Sequence, residues 1–209
     1  MLVLEQDAQG DRIVSRKLKG GKEVPVIDIN SSEVLSIFDG FSAVRVIVQG
    51  NRIRILPLAV EIAKRERLQR LENKLANGEA LDCGSVSHGG GVLDHALHKG
   101  LEEAGIKPRL AFANEIRPEL LEHTREQNDI WSQETISLAA PLQELAFDHW
   151  AMSALPKVEA LFAGLPCSGA SVAGKAKNGA GHAEAHPEVG HLVVAFLAVI
   201  AKVNPALVV

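Results

Sequence analysis

Residues 164–174 read GLPCSGASVAG and place one thiol, Cys167, after a proline in a run of small residues. Small residues let a backbone or a flat ligand approach closely, so this thiol is either inert filling or a nucleophile. A second stretch, LDCGSVSHGGG at 81–91, carries glycines that let backbone N–H groups close on a ligand. It lacks the lysine with which a P-loop grips a triphosphate. A third, AFANEI at 111–116, contains Glu115, an acid suited to accept hydrogen bonds from two ribose hydroxyls. Loop plus acid is the pattern of a nucleoside-containing ligand; a purely structural loop is the alternative reading. His182, His186 and His191 in GHAEAHPEVGH raise the question of a metal. Pro187 interrupts any continuous helical face there and no thiolate lies in the run, so no metal is expected.

These residues need elements to position them. From Glu79 onward short apolar runs alternate with helical patterns: EALDCGS, RLAFANE, VEALFAGLPC and ALVV read as strands. VLDHALHKGLEEAG, RPELLEHTREQN and HPEVGHLVVAFLAVIAKVNP read as helices between them. Such alternation predicts an α/β domain with a doubly wound, mostly parallel sheet. In these sheets ligands bind outside the carboxyl ends of the strands, where the glycine loop, Glu115 and Cys167 all fall. They are expected to share one site.

The first part of the chain is different. VPVIDI alternates as a strand, SSEVLSIF opens with serine caps for a short helix, and AVRVIVQGNRIRIL reads as a hairpin. Pro57 then opens a helix through about Ala76, with KRERLQR as its solvated face and Asn77-Gly78 as its end. The expected organisation is a small β-rich appendage over 1–56, a connecting helix over 57–78 and the α/β part over 79–209. The order of the appendage resembles the swapped-hairpin barrels of AbrB-like and SymE-like transcription factors, which implies a homodimer through this region and contact with DNA.

With 209 residues and ordinary apolar and charged fractions, the chain is expected to fold as a globular protein. Two cysteines cannot form a disulfide framework and the acidic start is no signal peptide, which points to the cytoplasm. The longest apolar stretch, Leu192 to Ala201, is too short to span a bilayer, so no membrane role is expected. A net charge of −4 offers no overall basic field, so phosphate contacts would have to be local.

Taken together, DCGSVSHGGG, ANEI and PCSGASVAG resemble, in order and spacing, the motifs of the DNA cytosine-C5 methyltransferases. The resemblance implies a sheet of the S-adenosylmethionine-dependent methyltransferase type, with S-adenosyl-L-methionine as cofactor and double-stranded DNA as partner. It assigns cofactor binding to Asp82, Gly84, Ser85, Gly89, Gly90, Glu115, Ile116 and Pro166, the nucleophile to Cys167, and DNA contacts to Ser168 and Ser171. Cysteine addition to C6 of cytosine activates C5 for methyl transfer, and loss of the C5 proton expels the cysteine. Cys83 is expected to pack rather than react, and His88 to touch the cofactor carboxylate or face solvent.

The chain departs from that family at several points. The phenylalanine usual after Asp-Leu is replaced by Cys83-Gly84, and Ser137 stands nearest the place of an acid that touches adenine. The family's Glu-Asn-Val motif would fall within a few residues of Val209, so the chain is expected to be the front part of an enzyme, inactive alone. QGNRIRILPLAVEIAKR is similar to a late motif of the family, although Gly-Asn is first a hairpin turn. Two other functions compete: a catalytically dead DNA-binding or regulatory module dimerising through 1–56, and an acyl-transferring cysteine enzyme.

Overall fold

The computed structural model describes residues 1–5, 14–165 and 191–209. Pro166, Cys167, Ser168, Ser171, His182 and His186 lie outside the described residues. The chain divides into two compact units, Met1–Ala63 and Lys64–Val209.

In the first unit, β1 (Leu2–Glu5), β4 (Val44–Gln49) and β5 (Arg52–Pro57) form an antiparallel sheet of order β1-β5-β4. β2 (Ser15–Lys19) and β3 (Lys22–Val26) form a separate antiparallel ribbon. The expected strand over VPVIDI is seated earlier, because Ser15 pairs with Val26 and Lys19 with Lys22 around the Gly20-Gly21 turn. Both glycines there have positive φ, a backbone that only glycine adopts at no steric cost. The β4–β5 hairpin turns at Gly50-Asn51, with Gly50 at φ 53°, so the hairpin reading of this sequence holds. Between them α1 (Ser32–Leu35) is capped by Ser31, whose hydroxyl accepts from Val34 N, and continues as a 3-10 turn to Phe38.

Pro57 does not open the following helix. It ends β5, paired with Val44, and α2 begins at Ala59 and runs to Asn77. Glu61 in its first turn accepts hydrogen bonds from the backbone N–H and hydroxyl of Ser42.

The second unit is an α/β fold built on a five-stranded parallel sheet. Its strands are β6 (Leu81–Val86), β7 (Pro108–Glu115), β8 (Ile136–Ala139), β9 (Ala160–Ala163) and β10 (Leu207–Val208), in the order β10-β9-β6-β7-β8. All six residues of β6 are buried, as a central parallel strand covered on both faces requires. α3 (Val92–Glu103) and α4 (Pro118–Gln127) connect β6 to β7 and β7 to β8. α5 (Leu142–Phe147), α6 (His149–Ala154) and α7 (Leu192–Val203) follow. α4 starts with Pro118, whose missing N–H costs nothing in a first turn. The main core packs Val86, Phe112 and Leu161 of the sheet against Leu142, Leu145, Ala195 and Val199 of the helices. No helix among the described residues is long and apolar enough to cross a membrane.

Candidate functional site

The order β10-β9-β6-β7-β8 reverses direction at β6: the chain leaves toward β7 and β8, then returns to the other side through β9. A crevice opens at such a switch point, outside the carboxyl ends of the strands. There the loops leaving β6 and β9 meet, since Gly164 N donates to Val86 O at 3.2 Å. A Cβ on Gly164 would stand 2.8 Å from Ser87 O, so only glycine permits this approach.

The loop after β6 turns sharply. Ser87, Gly89 and Gly91 all have positive φ, and Ser87 at φ 52° holds a conformation uncommon for a residue with a side chain. The glycine turn rests on Glu115, at the end of the neighbouring strand β7: Glu115 Oε2 accepts from Gly89 N at 2.8 Å and Oε1 from Arg117 N at 3.2 Å. Glu115 is 6% exposed. Each carboxylate oxygen keeps a second acceptor position, so a vicinal diol can be bound without breaking either contact. Ile116, beside it, is 61% exposed. Asn114 pins the next strand end, donating to Leu138 O and Ala140 O.

Other sequence assignments separate from this group. Asp82 sits at the opposite, amino-terminal end of β6, where it is bonded to Lys74 and Arg109 at 2.6 Å each. Burial alone would raise its carboxyl, but hydrogen bonds from Arg109 and Lys74 outweigh that and hold it below the usual carboxylate value. Gly84 lies within β6 under the ring of Phe112, where a Cβ would meet ring carbons at 2.4 Å. Its role is packing. Ser85 is buried and meets His88 Nδ1 at 3.0 Å. Gly89 and Glu115 are thus joined beside Ile116 at one end of the sheet, whereas Asp82 and Gly84 are engaged elsewhere. Ser137, on β8, lines a hollow of about 180 Å³ with Pro118, Leu121 and Arg125.

His88 does not face solvent. Its side chain is fully buried, Nδ1 stands 3.0 Å from Asp94 Oδ2, and the ring meets Trp131 edge-on at 5.6 Å. Sequence reasoning missed this Ser85–His88–Asp94 group, although a histidine followed six residues later by an aspartate inside the first turn of a helix was its visible signal. Cys83 is buried among Ala160, Phe162, Leu97 and Leu101. Burial pushes its thiol up to about 12, helped by the nearby carboxylates of Asp82, Glu159 and Asp94.

The amino-terminal end of the sheet carries a second polar group that the sequence did not announce. Glu159 is buried and accepts from Arg70 Nε at 2.5 Å, Lys74 Nζ at 2.7 Å and Asp82 N at 2.8 Å. Arg70 also donates to Val158 O and Asn204 O. Arg70 thus corrects the expectation that the charges of α2 form only a solvated face. Among the described residues no group of three or more metal-ligating side chains is placed to hold a metal; His191 stands at the start of α7.

These features define the class at the level of fold: a five-stranded parallel α/β sheet, consistent with a Rossmann-like arrangement, with a glycine turn and an acid at its switch point. Compared with models of known protein families the chain matches none, and no curated protein matches it in sequence.

Proposed function

We propose that the chain is the cofactor-binding and nucleophile-bearing part of a DNA cytosine-C5 methyltransferase that uses S-adenosylmethionine. The observation that carries this reading is the hydrogen bond between Gly89 and Glu115, which joins a glycine turn and a diol-binding acid on adjacent parallel strands. The strand on the other side, β9, runs into the sequence Pro166-Cys167. Loop, acid and thiol follow one another in the order expected from the resemblance.

When bound, the cofactor supplies an electrophilic methyl group on a sulfonium. Glu115 would accept hydrogen bonds from the two ribose hydroxyls, and the exposed Ile116 would lie against the base. Gly89 and Gly90 would let the backbone approach the remainder of the ligand. The cytosine must leave the duplex to reach a thiol, as for other enzymes that act on bases. The thiolate of Cys167 then adds to C6, which makes C5 nucleophilic; after C5 is methylated, its proton is lost and the C6–S bond breaks to release the thiolate. The resemblance assigns Pro166 to the cofactor and Ser168 and Ser171 to DNA contacts.

Two measurements test this. Calorimetric titration of the chain with S-adenosylhomocysteine is expected to show binding that Glu115→Ala weakens at least tenfold; absence of binding by the folded wild type overturns the cofactor assignment. A protein containing this chain, supplied with S-adenosylmethionine, is expected to form a covalent adduct with duplex DNA bearing 5-fluorocytosine. An adduct that survives Cys167→Ala refutes the nucleophile.

A further inference from the structure

The imidazole of His88 is enclosed on several sides within the second unit. Nδ1 stands 3.0 Å from Ser85 Oγ on β6 and 3.0 Å from Asp94 Oδ2 in the first turn of α3. The ring meets Trp131, which follows α4, edge-on at 5.6 Å. Nε2 lies 2.8 Å from where a Cβ on Gly91 would stand. The main chain adds two ties, from His88 N to Asn114 O at 2.9 Å and from Gly91 N to His88 O at 3.0 Å.

This imidazole is not built as a proton relay. Both polar contacts converge on Nδ1, and Nε2 is buried without a hydrogen-bond partner. A relay takes a proton at one ring nitrogen and passes it on at the other, so a ring engaged at one nitrogen and sealed at the other has no such path. What the ring does hold is the turn. Ser87, Gly89 and Gly91 have left-handed backbone at φ 52°, 57° and 69°, and such a segment persists only where its surroundings over-determine it. Ser87 is partly buried and the residues from 89 to 91 are glycines, so within the turn His88 alone supplies a fully buried side chain. Its neighbour Gly89 donates its N–H to Glu115 Oε2 at 2.8 Å.

We propose that His88 is a positioning residue, whose imidazole braces the glycine turn through Nδ1 so that the Gly89 N–H stays on Glu115. Its consequence for ligand binding rests on the cofactor reading given above; its hold on the turn does not.

The place of Nδ1 supplies the test. The amide nitrogen of an asparagine occupies the position of Nδ1, whereas that of a glutamine falls near Nε2, where no partner waits. In the full chain, His88→Asn is expected to keep amide exchange at Gly89, read by NMR, and the affinity for S-adenosylhomocysteine within about threefold of wild type. His88→Ala and His88→Gln are each expected to speed that exchange and weaken that binding about tenfold, while the amides of β6 keep their protection. Protection retained in β6 separates loss of the brace from loss of the fold. Should either variant fail to fold, Ser85→Ala removes one contact of Nδ1, leaves the ring in place and is expected to speed exchange at Gly89 about threefold. Unchanged exchange at Gly89 in every folded variant among these three overturns the proposal, as does a His88→Asn chain that behaves like His88→Ala. Absence of S-adenosylhomocysteine binding by the folded wild type overturns the cofactor reading instead, and the Gly89 amide then decides the brace by itself.

Discussion

Glu115 Oε2 accepts a hydrogen bond from Gly89 N at 2.8 Å, although the two residues are 26 positions apart and belong to different parallel strands and their loops. The contact fixes the glycine turn relative to the acid before any ligand arrives. Glu115→Gln preserves the size of the side chain and an acceptor oxygen but removes the charge that strengthens both backbone contacts. The expected outcome is a fold of unchanged stability within about 1 kcal/mol and faster amide exchange at Gly89, read by NMR.

Gly91 has φ 69°, and a Cβ there would approach His88 Nε2 to 2.8 Å. Gly91→Ala is therefore expected to destabilise the chain by about 1–3 kcal/mol, combining left-handed backbone strain with displacement of a buried imidazole. Urea unfolding checks the magnitude. The costs of Gly91→Ala and His88→Ala are expected to be less than additive in the double variant, because one of the atoms that clash is gone.

The packing at Gly84 makes a parallel case within the sheet. A methyl group at Gly84 would overlap the Phe112 ring, and the pairing of β6 with β7 shifts register between Cys83 and Gly84. Gly84→Ala is expected to cost about 1–3 kcal/mol through overpacking. The double variant Gly84→Ala/Phe112→Leu should be more stable than Gly84→Ala alone in thermal unfolding.

The ion network at the foot of the sheet sets a pH window. Asp82 is held below its ordinary value, so its contribution is complete above the unfolded value near 3.9 and is lost as the pH falls through the folded one. For Lys74, burial alone would lower the ammonium, but hydrogen bonds to Asp82 and Glu159 outweigh it and raise it above 10.5. Its contribution is complete below that value and is lost as the pH rises through the folded one. Stability is thus expected to fall on both flanks, below about pH 4 and above about pH 10. Lys74→Met should flatten the alkaline flank in urea titrations at stepped pH. Glu159→Gln, which removes one anionic partner of Arg70 and Lys74 while Asp82 and the carbonyls of Val158 and Asn204 remain, is expected to cost about 1–3 kcal/mol at pH 7.

Cys83 should be silent. With its thiol pushed up to about 12, roughly one molecule in 10⁴ carries the thiolate at pH 8. In a Cys167→Ser chain, Ellman's reagent is expected to react only on the timescale of unfolding. Prompt labelling of the folded chain would contradict the burial of Cys83.

Much of the second unit was legible because its signals are local. Apolar runs at Leu81, Leu110 and Ala160 bounded by glycine, proline and polar residues specify strands, and their alternation with helical periods specifies a parallel sheet. β8, α5 and α6 were not anticipated: TISLAA and LQELAF are short, and only pairing with Phe112 and Asn114 makes the former a strand. The adjacency of the glycine turn and Glu115 was legible, because each follows or ends a strand of the parallel sheet. Asp82 misleads because it begins the motif as the second residue of β6, four positions before the carboxyl end, and the motif string does not show where the strand ends. The clasp of Arg70 and Lys74 on Glu159 was hidden because charges four apart on a helix look alike whether they meet water or a buried carboxylate separated by more than 80 residues. Pro57 shows the same limit, since it suits a strand end as well as a first helical turn.

α2 has no buried residue along its 19 positions, and its hold on the parallel sheet comes through Arg70 and Lys74 gripping Glu159, Asp82 and the carbonyls of Val158 and Asn204. Such an attachment is all or nothing: a helix moored by a polar clasp has little apolar surface to peel away gradually. Its amides should therefore form a single opening unit of intermediate free energy, exchanging with deuterium together and well before those of β6. Added salt, which screens the more exposed parts of the clasp and leaves the apolar core intact, would accelerate that opening selectively and make α2 the first of the elements packed on the parallel sheet to come loose.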